Sequence, residues 1–208
     1  MAQSSSMNRL VSGYRAFRDG RWRAEHARYV QLAAVGQKPE TLVIACSDSR
    51  SDPATIFDAN PGELFVIRNI AAIVPPLEID TAHHGTTAAI AFAVCVLNVR
   101  NILVLGHAQC SGVAAALDRT IGGDVPFLLS WIDLLTPAVE RARHAREGTH
   151  IVALERNTVL LSMERLMTYP FVTERVHAGD LEINGARFGI ADGILEIFDP
   201  ATGTFVAS

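Results

Sequence analysis

Cysteine is scarce in this chain, with three in 208 residues. So small and odd a number does not suit a disulfide framework, so the thiols are expected to be free, in a reducing and therefore cytoplasmic compartment. Long apolar runs are missing as well: none reaches the roughly 18–20 residues a bilayer-spanning helix needs, so no membrane segment is expected. The opening "MAQSSSMNRL" has no basic segment followed by an apolar stretch, hence no signal peptide is read. Met7 is a candidate natural start, with residues 1–6 expected to be disordered. Charge of one sign is not in excess. A net charge of −4 argues against an electrostatic nucleic-acid surface. Repeats and low-complexity linkers are lacking too, so a single domain over 1–208 is the expectation.

What is present is an ordinary globular balance, 49% apolar and 19% charged. "TLVIACS" (41–47), "ELFVIRN" (63–69) and "NILVLGH" (101–107) are short apolar runs suited to strands buried on both faces. Residues 8–35 have helical spacing, and so do 81–99, roughly 126–147 and roughly 150–167. "LEINGARFGIADGILEIFDP" alternates, and its Asn184-Gly185 and Asp192-Gly193 pairs read as hairpin turns. Strands separated by helices predict an α/β fold: a mainly parallel sheet flanked by helices, with an antiparallel edge addition near the C-terminus. Ligands in such sheets bind beyond the carboxyl ends of the strands, where Cys46, Asp48 and His107 fall.

"CSDSR" places Cys46, Asp48 and Arg50 at alternate positions, on one face if the strand direction persists. Alone, the pattern is equally a core cysteine beside an exposed ion pair of little energetic value. "GHAQC" adds His107 and Cys110 where another apolar strand ends. Two such clusters at parallel strand ends supply two thiolates and an imidazole, a common zinc set that leaves one position open, as catalytic sites do.

The pairing of "CSDSR" with "GHAQC", with "PGELFVIRN" between them, resembles the β-class carbonic anhydrases, from about residue 7 to 198. The resemblance implies one Zn2+ per chain bound by Cys46, His107 and Cys110, and a catalytic dyad of Asp48 and Arg50. It implies reversible hydration of CO2 to bicarbonate and a proton, by attack of zinc-bound hydroxide that the dyad orients. Asp48 is also a conditional fourth metal ligand, because in some members it swings onto zinc and closes the site. A homodimer, or a dimer of such dimers, embraced by its N-terminal helices is the expected assembly. That assembly accounts for Arg15, Arg18, Arg21, Trp22 and Arg23 better than an anionic partner does.

The same resemblance places a substrate pocket at Gln37, Phe65 and Phe92. Plain core packing is the rival for Phe65, and simple surface exposure for Gln37. Phe92 stands where a tyrosine is common, Ser111 where a glycine is, and Ala72 where an asparagine is. Val43 occupies the place of a tryptophan that marks a bicarbonate-inhibited subgroup, so an open site at neutral pH is expected. His83 and His84 are either a proton relay or ordinary solvated or capping residues. Cys95 is expected to be buried and inert. Hydrolysis of carbonyl sulfide or carbon disulfide by the same zinc set is the nearest rival activity, and a catalytically silent zinc protein the rival of another class.

Overall fold

The computed structural model describes residues 5–80, 83–118, 125–145 and 149–208. The chain divides into two compact units, residues 1–37 and 38–208. The first holds three helices, α1 (Ser5–Asp19), α2 (Arg21–Ala24) and α3 (His26–Val35), none with a buried residue. Ser5 and Ser6 already belong to α1, while residues 1–4 lie outside the described set.

The second unit is built on a six-stranded sheet in the order β2-β1-β3-β4-β5-β6. The strands are β1 (Thr41–Cys46), β2 (Leu64–Asn69), β3 (Asn101–His107), β4 (Glu182–Phe188), β5 (Leu195–Asp199) and β6 (Thr204–Ala207). The first four run parallel, and β5 and β6 add antiparallel at one edge. This is the expected fold class. A local surprise is Asn184-Gly185, which is no turn but the middle of β4, with Gly185 opposite Val104. The glycine serves a close approach: a Cβ there would meet Met163 Sδ at 2.5 Å and Val159 Cγ1 at 2.8 Å. Gly106 on β3 is pressed by Val159 in the same way. These two pits let α9 (His150–Leu166) lie unusually near the sheet.

Alternation along the central strands sorts the core. Leu42, Ile44, Ile102 and Val104 join one cluster with Ile90, Val159, Leu166, Tyr169 and Val172. These last five come from α9, α5 (Gly85–Ala91) and α10 (Pro170–His177), or border them, and α10 is a helix the sequence reading left out. Val43, Ala45, Leu105 and Ala186 point the other way, to Ile56, Phe57, Phe188 and Leu195. Each fully buried Leu or Ile contributes about 1.5–3 kcal/mol, so both faces hold the strands in register.

The helical stretch expected over 126–147 is two helices, α7 (Pro126–Asp133) and α8 (Thr136–Ala142), with Pro137 in the first turn of the second. The stretch over 81–99 changes after Ala91 into a π-helical turn, Phe92–Val96. That wider turn sends Ala93 and Val94 into the core and leaves Cys95 exposed, which corrects the expectation that Cys95 is buried.

Candidate metal centre

β1 and β3 are neighbours in register, so their carboxyl ends place Cys46 and His107 side by side. The chain then turns within two residues, and Cys110 comes in just ahead of α6 (Ser111–Asp118). The ligand atoms of Cys46, His107 and Cys110 lie within 4.8 Å of one another, and all three residues are buried. The two sulfurs are 3.8 Å apart. Two sulfurs at about 2.3 Å from a tetrahedral zinc would stand about 3.8 Å apart, so the spacing suits that ion.

His107 is set for the same purpose. Its Nδ1 is 2.8 Å from the Ala108 carbonyl, which only accepts, so Nδ1 carries the proton and donates. In the neutral ring Nε2 is then the bare nitrogen, and it is buried without a hydrogen-bond partner. An unpartnered buried acceptor beside two thiols fits a metal ion and little else.

The Cys110 sulfur hydrogen-bonds that of Cys46 and, against burial, brings its thiol down to about 4, helped by His107 and the backbone N–H groups of Asp48 and Ala71. Cys110 is correspondingly pushed up, by the Cys46 sulfur and by burial. Burial pulls His107 down, but the Cys46 sulfur and the Ala108 carbonyl outweigh it and raise its pKa.

The Ala71 amide reaches the sulfur from an unusual backbone. Ala71 and Ala72 both lie in the left-handed region, at φ 64 and 55. Such a conformation costs a residue with a Cβ about 1–2 kcal/mol, and an asparagine, common at Ala72's position in the resembling family, tolerates it better. Neighbours hold the turn in place. Asn69 pairs with both backbone groups of Ile73, at 2.8 and 2.9 Å, and Ser162 Oγ donates to the Ala72 carbonyl. Ser111 is exposed and crowds nothing. The close approach falls on Gly112, where a Cβ would meet Ile70 at 2.7 Å.

Asp48 and Arg50 come together by a route the alternation did not foresee. β1 ends at Cys46, and Asp48 caps a short 3-10 turn, Ser49–Ser51. Asp48 Oδ1 accepts from the Arg50 backbone N–H at 2.9 Å and from its Nε at 3.0 Å, while Oδ2 accepts from Nη2 at 2.7 Å. The Arg50 side chain and amide hold the Asp48 carboxyl far below the usual range. Arg50 Nη2 also donates to the Gln109 carbonyl, at 3.2 Å. Both Asp48 oxygens are thus held by arginine, and the candidate metal-holding group comprises the two cysteines and the histidine.

Two charged residues that sequence reasoning passed over complete the site. Arg68 donates to the Cys46 carbonyl at 2.9 Å, the Asp48 carbonyl at 2.5 Å and Asp52 Oδ2 at 2.8 Å. Its place in "VIRN", an arginine in an otherwise apolar strand, was the available signal. Glu155, 3% exposed on α9, accepts from the Gln109 N–H at 2.7 Å.

The pocket residues are placed otherwise. Phe65 and Phe92 pack on each other with centroids 5.9 Å apart. Phe65 pairs with Leu42, four residues back along β1 from Cys46 and so about 13 Å from that strand's end. Gln37 is exposed and ends the first unit. His84 is bound to Asp80 at 2.7 Å and makes no side-chain cap, while His83 is exposed. Among the described residues no helix is long and apolar enough to cross a membrane.

A family model described as carbonic anhydrase matches residues 41–195. Beta carbonic anhydrase 3 of Arabidopsis thaliana is 34% identical over 201 residues, 93% of this chain and 77% of that protein. A carbonic anhydrase of Synechocystis is 33% identical, over 97% of this chain and 74% of its own length. The solved β-carbonic anhydrase CcaA superposes with a TM-score of 0.90 at 31% identity, covering 99% of this chain and 93% of its own. One of two tetrameric β-carbonic anhydrases of Sordaria macrospora does so at 0.81 and 31%, covering 98% and 100%.

Proposed function

Because the chain belongs to the β-carbonic anhydrase family, its activity is that of a carbonic anhydrase, a lyase, and we propose that it hydrates CO2 with one zinc ion held by Cys46, His107 and Cys110. The observation that carries this is the bare, buried Nε2 of His107 beside two sulfurs 3.8 Å apart. Zinc held there supplies what the side chains lack, a water acidified enough to be a nucleophile near neutral pH.

The chain's own residues do the rest. Asp48, kept ionised by Arg50, serves only as an acceptor. It takes a hydrogen bond from the attacking group and so turns a lone pair toward the carbon of CO2. Arg50 fixes the carboxylate's direction and, by engaging both oxygens, keeps it from competing for the metal; this supports a site open at neutral pH. Backbone N–H groups of Asp48 and Ala71 at one sulfur, and of Gly112 and Val113 at the other, draw off charge from the thiolates. That counters the weakness of a two-thiolate site, whose negative charge otherwise quenches the cation.

We assign the second wall of the substrate pocket to a homodimer, alone or paired into a dimer of dimers. Val66, Ile70, Phe92 and Val96 are 37–60% exposed on edge strand β2 and the segments around it. A second copy would cover them and bring Phe65 and Phe92 against CO2, with Gln37 for bicarbonate. The reading also requires a reducing, cytoplasmic setting, because thiols this near would otherwise oxidise.

The test is stopped-flow CO2 hydration by zinc-loaded and chelator-stripped protein, over about pH 6.5–9. Zinc-dependent turnover at pH 7 is expected. No hydration at any pH with one zinc bound per chain would overturn the proposal. Activity confined to high pH would overturn the open site and keep the lyase.

A further inference from the structure

His107 and Cys110 are joined by only two residues, and the second, Gln109, lies in the left-handed region at φ 55. Its side chain is exposed, so packing does not fix it. Its two backbone groups do. The N–H donates to Glu155 Oε1 at 2.7 Å, and the carbonyl accepts from Arg50 Nη2 at 3.2 Å. The backbone of one residue, through the two peptide groups that flank it, therefore meets Glu155 on one side and the arginine of the dyad on the other.

Glu155 is itself fixed from behind. Its Oε2 accepts from Arg187 Nε and Nη2, both at 2.7 Å. Arg187 continues to Glu196 at 3.2 Å, and Glu196 to Arg156 at 2.6 Å. A carboxylate serving only to neutralise a buried arginine has no need to face the loop. Here one oxygen is given wholly to the cation, and the other is turned to a neutral N–H between two metal ligands.

We propose that Glu155 is a positioning residue for the metal site: it fixes the Ala108–Gln109 peptide, and through the left-handed Gln109 backbone that follows it holds His107, Cys110 and Arg50 in one geometry. The inference rests on the zinc reading above. The connected path runs Glu196, Arg187, Glu155, Gln109, Arg50, Asp48, from the C-terminal hairpin to the dyad. Groups that orient ligands without touching the metal typically carry about 10- to 100-fold in affinity or activity.

Two conservative variants separate this role from simple charge pairing. Glu155→Gln keeps the reach to the Gln109 N–H and loses the charge that Arg187 meets. Glu155→Asp keeps the charge and loses the reach. Zinc release to a chelator from the holoenzyme, the visible spectrum of the cobalt-substituted protein, and Tm are measured for each. Glu155→Asp is expected to release zinc about 10- to 100-fold faster, with an altered cobalt spectrum. Glu155→Gln is expected to release zinc at nearly the wild-type rate and to suffer the larger fall in Tm. Wild-type release from Glu155→Asp, or release from Glu155→Gln as fast as from Glu155→Asp, overturns the inference alone. A wild-type protein that takes up no zinc overturns the zinc reading and the inference together.

Discussion

Two loops meet at the metal centre, and they are held by opposite means. The first, Ser47–Asp52 after β1, is largely self-supporting. Asp48 caps one short turn and Asp52 caps the helix that begins at Pro53, while support from outside comes from Arg68 and the Asn69 carbonyl on the adjacent strand and from the Gln109 carbonyl across the site. The second, Ala108–Gln109 after β3, has little of its own. It relies on Glu155, 46 residues further along the chain, on the Phe188 carbonyl at the end of β4, and on Arg50 across the site. The first loop is organised by local capping chemistry, the second by a buried carboxylate from another layer of the fold. A reaction that needs both a rigid metal site and an oriented acceptor thus draws on near and distant contacts at once.

Removing the ligand that precedes the second loop is the strongest way to break the comparison. His107→Ala is expected to drop zinc from one per chain toward zero and hydration to background, by metal analysis and stopped flow. Stoichiometric zinc in that variant would show that the cysteines hold the ion without the second loop's histidine. Asp48→Asn strikes the first loop alone. Zinc is expected to stay, with kcat/KM about 10²–10³ lower, the usual cost of one oriented group at a developing charge. The pH profile sharpens this point. Asp48 has a folded pKa depressed by Arg50, so its contribution to stability is complete above the ordinary aspartate range and is lost only as pH falls through that depressed value. No acid limb above about pH 6 should therefore belong to Asp48 in the wild-type rate profile. A limb there that vanishes in Asp48→Asn while activity persists would contradict the assignment.

Smaller effects probe the supports. Arg68→Met removes three charge-assisted bonds, one to the end of β1 and two to the first loop, and is expected to lower stability by about 1.5–3 kcal/mol in urea unfolding. An unchanged midpoint would mean that the capping turns suffice alone. Ala72→Gly relieves a left-handed alanine beside the site and is expected to raise stability by up to about 1 kcal/mol with zinc unaffected. A loss instead would show that the buried methyl packs better than the backbone strains.

The two loops also differ in how far they could be read from the sequence. Asp48 and Arg50 were found because motif and contact are both local, although a capping turn rather than strand alternation joins them. The parallel strands were legible as apolar runs, and the cysteine and histidine ligands as polar interruptions at their ends. Glu155 was hidden. It sits in a helix with an ordinary mix of charges, and only the pits at Gly106 and Gly185 bring that helix close enough to deliver it. Asn184-Gly185 was misread for the same reason, since a dipeptide favoured in turns is also what a strand needs where a helix presses on it. Cys95 depends on a π-helical turn. Such features arise from tertiary contact, which periodicity does not encode.

The span between Gln109 and Glu155 also sets a schedule. At about 5–20 residues per second of synthesis, the 46 residues between them take about 2–9 s, and Arg187 emerges later still. Until then the nascent chain exposes its two sulfurs and its histidine without the carboxylate that shapes their loop. Metal capture on the ribosome would meet an unshaped chelator, so the native centre is completed only after β4 has emerged with Arg187.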